Sequence, residues 1–350
     1  MVIRFVVASG HEATVRSLTR QRLADASRFT AMTYDRLFRT PAVRGGTYIF
    51  CDHERLSDLQ LRLAAEAYRA INRAAPYTRA LNDPARVKTR YALLRALHHA
   101  GINQFDAYPA DGIPQPRRFP VFIRSEAEHS APLTPLLTDQ SALERSLADL
   151  VQDGIPLRGL IVIEYCAEPI SPGVFRRFGT FRIGDRIHLD HIVTEDSWNV
   201  KHGKAGLVTD DVYAADHARV VGNAFEAELR DAFDIAGIAY GRADFGLVDG
   251  KPQIYEINTN PKLPRSDKPH QSALRQHTLD VAQQCFIANM AAIDLPDGAR
   301  HVAIDGRYLR AYRAKFSARH VVTQRWKRFT GKLGLPLGVV QMAKRLNPNG

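Results

Sequence analysis

Apolar residues in the first eighty positions fall into short runs separated by stretches of helical period. VIRFVVAS opens the chain as a buried strand, the stretch from Glu12 to Ala26 repeats apolar positions at helical spacing, TYIFCD at 47–52 reads as a second strand, and Leu56 to Asn72 as a second helix. This alternation predicts an α/β unit around a parallel sheet. Leu81-Asn82-Asp83-Pro84 marks a turn, after which ARVKTRYALLRALHHAG is amphipathic and stops at Gly101. A proline-rich connection, PADGIPQPRRFP, leads to a strand PVFIR at 120–124, a polar loop SEAEHSAP and a helix from Gln140 to Gln152. LRGLIVIEYC is the most continuously apolar run and predicts a strand buried on both faces. Beyond it, FRRFGTFRIGDRIHLDHIV divides into two strands at Gly184-Asp185, and one long helix is expected from Asp210 to Ala236.

The next segment carries the chemistry. AYGRADFGLV alternates up to Asp249-Gly250, a dipeptide suited to positive φ in a hairpin turn, and PQIYEIN resumes the alternation at once. Side chains on a strand alternate faces, so Arg242, Asp244 and Gly246 share one face of the first strand, and Ile254, Glu256 and Asn258 one face of the second. Asp244 then falls opposite the 255–256 region. Two carboxylates at roughly 4–6 Å repel unless a cation lies between them. Magnesium takes oxygen ligands, commonly one or two carboxylates completed by substrate phosphates. Asp244, Glu256 and the Asn258 amide oxygen form such a set, and Arg242 adds a planar fork for phosphate oxygens.

RADFGLVDGKPQIYEINTNP resembles the metal-binding hairpin of the ATP-grasp superfamily, which includes D-alanyl-D-alanine ligase, glutathione synthetase and biotin carboxylase. In that pattern an Asp on one strand and a Glu-x-Asn on the next bind two Mg²⁺ ions, with an Arg two residues before the Asp. The resemblance covers roughly Asn82 to Pro264. It implies an α/β protein with an α+β sandwich of ATP-grasp type: an N-terminal parallel-sheet domain over 1–85, a small central subdomain over 86–165, and a larger antiparallel-sheet subdomain over 166–299. ATP is expected between the last two, with Mg²⁺ as cofactor, two ions by the family pattern and Mn²⁺ an alternative. Backbone groups of Tyr165 and Cys166 would meet the adenine edge, and Glu164 or Glu168 would accept from the adenine amino group or a ribose hydroxyl. Arg124 stands where the family has a lysine on the strand before its flexible loop. Lys88 or Arg90 would supply the second phosphate cation, and Lys201 in DSWNVKHG a third. His129, His191 and His202 are candidate acid-base groups. The loops 125–134 and 199–207 are the expected lids, although SEAEHSAP lacks the glycines common in family lids. Lys262 occupies a position where relatives often carry glycine, and it is assigned to an anionic substrate group.

The implied reaction is ligation: a substrate carboxylate is activated as an acyl phosphate by ATP and joined to an amine. A kinase acting on a hydroxyl and a non-catalytic ATP-binding regulatory module remain alternatives. Bulk properties fit a cytoplasmic enzyme. At 350 residues the chain can bury more than one core, no apolar run reaches the length of a membrane span, and no leader-peptide pattern is read at the start. Cys51, Cys166 and Cys285 are too far apart in sequence to form a disulfide framework or zinc motif. The net charge of +11 is concentrated in one place, because residues 300–350 hold twelve Lys and Arg against Asp305 alone. That predicts a basic helical tail over 300–350 suited to an acidic partner or an anionic membrane surface, with no specific nucleic-acid target predicted and a homodimer left open.

Overall fold

The computed structural model describes residues 2–20, 29–262, 270–296, 298 and 300–316. The first unit contains β1 (Ile3–Val7), α1 (Ala13–Arg20), β2 (Phe29–Thr33), α2 (Tyr34–Arg39), β3 (Ala42–Arg44), β4 (Gly46–Phe50), α3 (Asp58–Asn72) and β5 (Thr78–Leu81). Four of these strands form a parallel sheet in the order β2-β1-β4-β5. Strand alternation divides its side chains between two cores. Ile3, Phe5, Val7, Ile49 and Cys51 enter one, while Val6, Tyr48 and Phe50 enter the other with α2 and α3. Helix α3 starts at a capping box in which the Ser57 and Gln60 side chains bond each other's backbone N–H.

The second unit holds α4 (Arg90–His99), β6 (Ala107–Pro109), β7 (Val121–Ser125), α5 (Gln140–Gln152) and β8 (Leu160–Glu164). Its antiparallel sheet runs β6-β8-β7. One face of this sheet packs on α5, and the other, with Ile161, Ile163 and Phe122, turns toward α4 and Tyr255. The amphipathic stretch after Pro84 becomes helical only at Arg90, because the Thr89 hydroxyl caps the helix by accepting from Ala92 N–H.

The third unit comprises β9 (Pro169–Ser171), β10 (Val174–Ile183), β11 (Arg186–Glu195), α6 (Asp210–Val221), α7 (Glu226–Ala236), β12 (Tyr240–Val248), β13 (Lys251–Asn258) and α8 (Ala273–Ile293). Its antiparallel sheet runs β11-β10-β12-β13, with β9 on β10. The single helix expected over 210–236 is two helices. The chain breaks at Gly222 and takes positive φ at Asn223 and Phe225, where the Asn223 side chain accepts from Leu189 N–H and donates to the Ile187 carbonyl. Phe286, Met290 and Ile293 of α8 pack with Phe181 and Tyr240 against the first sheet, joining the two units in one core.

Asn82, with φ 63°, reinforces that junction. Its amide donates to the Phe50 and Tyr240 carbonyls and accepts from the N–H groups of Ala239 and Tyr240, tying the end of β4 to the start of β12. The chain then returns to the first unit through β14 (His301–Ala303), paired with β3, and α9 (Arg307–Ala314), which lies on α2 and α3. This covers the start of the stretch expected as a basic tail; residues 317–350 lie outside the described residues. Among the described residues, no helix is long and apolar enough to cross a membrane.

Candidate functional site

The hairpin of β12 and β13 turns at Asp249-Gly250, both at positive φ. From Val248↔Lys251 to Phe245↔Ile254 the register is regular. Continued unbroken, it would set Asp244 against Tyr255 and send Glu256 to the far face. A bulge between Asp244 and Phe245 absorbs Tyr255, so Asp244 pairs with Glu256 and Arg242 with Asn258. Four functional side chains therefore share one face. Ile254 does not, contrary to the simple alternation: paired with Phe245, it faces the opposite core with Ala243.

Those four residues line a cavity of about 980 Å³. Asp244 is buried. It accepts from Arg242 Nε at 2.8 Å and Nη2 at 3.2 Å, and its Oδ2 pairs closely with Arg177 Nη1. Glu256 Oε2 pairs closely with Arg90 Nη2 and lies 3.6 Å from His129 Nδ1 and 3.9 Å from Arg124 Nη2. Burial works to raise the Glu256 carboxyl, but Arg90, His129 and Arg124 outweigh it and hold the group well below the usual carboxylate range. Hydrogen bonds to Glu256 and Glu54 push His129 up to about 9. Burial, with Arg90 adjacent, brings Arg124 down to about 10. The Asn258 amide oxygen accepts from Asn260 N–H at 2.7 Å.

Of the expected phosphate cations, Arg90, Arg124 and Lys201 reach this region, while Lys88 does not. Lys88 precedes the Thr89 cap and points to solvent, whereas Arg90 in the first helical turn is buried and also donates to the carbonyls of Ser125, Glu126 and Glu128. Lys201 lines the cavity, and its carbonyl accepts from Arg177 at 2.8 Å. Burial and Arg124 lower the Lys201 ammonium. Lys262 is exposed at the cavity rim, and its carbonyl accepts from Arg242 Nη1.

At the other end of the cavity Leu94, Phe105, Phe122, Ile163, Cys166, Trp198 and Tyr255 form an apolar slot. Trp198 tilts over Phe122 with ring centres 4.9 Å apart and meets Tyr165 edge-on. Such a slot suits a flat aromatic base. The strand-end groups are partly committed to the protein. Tyr165 N–H donates to the Pro120 carbonyl, and the Cys166 carbonyl accepts from Tyr255 hydroxyl at 3.0 Å. Glu164 is buried and takes hydrogen bonds from Tyr108 hydroxyl and from the N–H groups of Asp106, Arg117 and Arg118, so its carboxylate organises the loop before β7. Glu168 lies at the hairpin tip outside the cavity, accepting from Asp249 N–H at 3.1 Å.

His129 and His202 line the cavity, and His191 lies buried in its wall with Nδ1 2.7 Å from Asp190. Burial lowers the His191 ring. Sequence reasoning overlooked Arg177, Trp198 and Asp52. Arg177 could have been found from the alternation FRRFG, which places it two residues from Gly179, the cross-strand partner of Asp244, and so on the same face as Asp244. Asp52 comes from the first unit at φ 56°, and no local pattern marks it. It accepts from Ala8 N–H and Asn260 Nδ2, and its own N–H donates to Thr259 Oγ1, fixing the chain immediately after Asn258.

Among the described residues, no group of three His, Cys, Asp or Glu side chains is placed to hold a metal ion. The hairpin offers two carboxylates and one amide oxygen, a set of hard oxygen donors that external oxygens must complete. That is the form in which magnesium is commonly bound beside phosphates.

No protein-family model matches the chain, and no curated protein matches it by sequence. Solved structures of ATP-grasp proteins are similar to it. A RimK domain protein ATP-grasp from Sphaerobacter thermophilus is 15% identical with a TM-score of 0.43, covering 85% of this chain and 100% of its own. D-alanine–D-alanine ligase from Bacillus anthracis is 10% identical with a TM-score of 0.44, covering 84% and 97%. L-amino acid ligase from Bacillus licheniformis is 12% identical with a TM-score of 0.37, covering 73% and 66%.

Proposed function

We propose that the protein is an ATP-dependent, ADP-forming ligase that joins a carboxylate to an amine. One observation carries this reading: Arg90, Arg124, Arg177, Arg242 and His129 converge on the paired carboxylates Asp244 and Glu256 in a cavity whose far end is an aromatic slot. A solvated strand face with surface ion pairs does not gather five cations around one buried and one half-buried acid. A polyphosphate with a flat base matches both ends.

Asp244, Glu256 and Asn258 would hold magnesium beside the phosphates; when bound, the metal neutralises charge that builds on the transferring phosphoryl group. The remaining assignments concern this chain's own side chains. Arg124 and Lys201 bind triphosphate oxygens, with Arg90 and Arg177 as further cations. The slot at Tyr165, Cys166 and Trp198 receives adenine. In the first step an oxygen of the substrate carboxylate attacks the γ-phosphorus, and the bond to the β–γ bridging oxygen breaks, releasing ADP. The amine nitrogen then attacks the acyl carbon, the carbon–oxygen bond to phosphate breaks, and a proton leaves the nitrogen. Arg242, fixed by Asp244 and the Lys262 carbonyl, is directed at the oxyanion that forms on the acyl oxygen. The loop carrying His129, anchored by Arg90 through three carbonyls, excludes water from the acyl phosphate.

The test is ADP and phosphate release from ATP with Mg²⁺ and a panel of amino acids and small carboxylates. Asp244→Asn and Glu256→Gln are expected to lower turnover by at least about a hundredfold. Calorimetry showing no Mg·ATP binding, together with unchanged behaviour of both variants, rules the reading out. Phosphorylated substrate without free phosphate identifies a kinase instead.

A further inference from the structure

The cavity continues past Arg242 and His191 to a wall formed by Arg176 of β10, Tyr213 and Asp216 of α6, His270, and Arg275 in the first turn of α8. Three arginines meet here around one acid. Arg176 Nη1 and Arg219 Nη1 both lie 3.3 Å from the same Asp216 oxygen. Arg275 is 7% exposed, and its buried Nη1 has no hydrogen-bond partner, nor does the buried Nε of Arg176. Asp190, the other acid near Arg275, is bonded to His191. Tyr213 meets the His270 ring edge-on at 5.4 Å, closing the wall beside Arg275. A guanidinium removed from water without acceptors is costly, and the single Asp216 carboxylate, shared with the half-exposed Arg219, cannot compensate both Arg176 and Arg275. The fork of Arg275 has the shape and charge to bind two oxygens of a carboxylate or phosphate.

We infer that Arg275 and Arg176, with Tyr213 and His270 beside them, form a second anion subsite, so that one substrate carries an oxyanion group, carboxylate or phosphate, remote from its reacting centre. This identification of a substrate class rests on the ligase reading for the reaction but not for the anion. The subsite is separate from the triphosphate cations, because Arg176 and Arg275 make no contact with Asp244 or Glu256 among the described residues. A reacting group held at Arg242 would thus be fixed at both ends, the arrangement that converts binding energy into orientation.

Binding is measured by calorimetry on the full chain saturated with Mg²⁺ and the non-hydrolysable ATP analogue AMP-PNP. The probes are butyrate and hexanoate, with one anionic end, glutarate and adipate, with two carboxylates, and 3-phosphonopropionate and 4-phosphonobutyrate, with a carboxylate and a phosphonate. At least one two-ended series should bind tenfold or more tightly than the one-ended acids, and whichever series does so identifies the remote group. Arg275→Met should remove that advantage while leaving one-ended acids and AMP-PNP affinity unchanged, and Arg176→Gln should weaken it independently. Equal binding of one-ended and two-ended acids overturns the inference, as does retention of the full advantage in both variants. The two readings fail separately: nucleotide binding without the two-ended advantage sinks the subsite alone. Two-ended binding to protein that takes no AMP-PNP sinks the ligase alone.

Discussion

Arg177 and Arg242 compete for the same Asp244 carboxylate, but their other bonds differ. Arg242 is also tied to the Lys262 carbonyl and Arg177 to that of Lys201. Arg177→Met should therefore release the segment around Lys201 and leave Arg242 in place. The expected result is a ten- to hundredfold fall in kcat/KM with ATP affinity reduced, a pattern resolved by steady-state kinetics with ATP varied. His53 tests a different residue property. Burial brings its ring down to about 4, so between pH 6.5 and 4 the unfolded chain binds the extra proton and the folded chain does not. Stability contributed by the neutral ring is complete above pH 6.5 and declines as pH falls through 4, by up to about 3 kcal/mol. Chemical unfolding of His53→Gln should show a shallower decline over this window than the parent protein; parallel curves would refute it. Legibility at this scale depended on neighbouring residues. Arg242, Asp244, Glu256 and Asn258 stood out because one short motif holds all four, whereas the choice of Arg90 over Lys88 turns on the Thr89 cap between them.

The hairpin was readable as an element, with its Asp-Gly turn and both strands, but its register was not. Alternation alone grouped Ile254 with Glu256, and only the bulge at Tyr255 separates them and turns Glu256 toward Asp244. A bulge answers to packing across several strands, here the Tyr255 hydroxyl reaching the Cys166 carbonyl while Ile254 fills the core behind. A β-carbon on Gly246 would lie 2.3 Å from that hydroxyl, so the glycine makes room for the displaced tyrosine. Gly179 has the same role on the neighbouring strand. It pairs with Asp244, and a β-carbon there would sit 2.4 Å from His191 Cε1 and 3.2 Å from Arg242 Cδ. Gly179→Ala must displace His191 or Arg242. It should cut turnover at least tenfold at a stability cost of about 1–3 kcal/mol, read from kcat alongside thermal unfolding. The long helix expected over 210–236 failed for a related reason: Gly222-Asn223 is a weak break by propensity, and it becomes a turn because Asn223 bonds the backbone at both Ile187 and Leu189.

Across the whole molecule, charge was a poor guide to where the chain belongs. The excess of Lys and Arg beyond residue 299 marks a compositional boundary, yet Arg300–Phe316 is woven into the first unit. Gly45 N–H donates to the Arg300 carbonyl and Ile304 N–H to the Pro41 carbonyl, while Glu66 accepts from the first N–H groups of α9. Arg313 uses its charge inward, donating to the carbonyls of Phe38, Thr40 and Ile304. Val302, Ile304 and Leu309 are buried with Leu37, Phe38 and Val43. Apart from the Arg313–Ile304 bond, these contacts link residues more than 200 positions apart, which local pattern cannot reveal. Removing them strips three apolar side chains from a core, at roughly 1.5–3 kcal/mol each, and uncovers their partners. A chain ended after residue 299 should accordingly lose about 5 kcal/mol relative to one ended after Phe316, measured by urea unfolding. Asp52 and Asn82 pass the damage on, because both hold the third unit from the edge of the first sheet. The shorter chain should therefore also bind Mg·ATP more weakly, although none of the removed residues lines the cavity. Equal stability and equal nucleotide affinity in the two truncations would mean that α9 and β14 only rest on the first unit and do not support it.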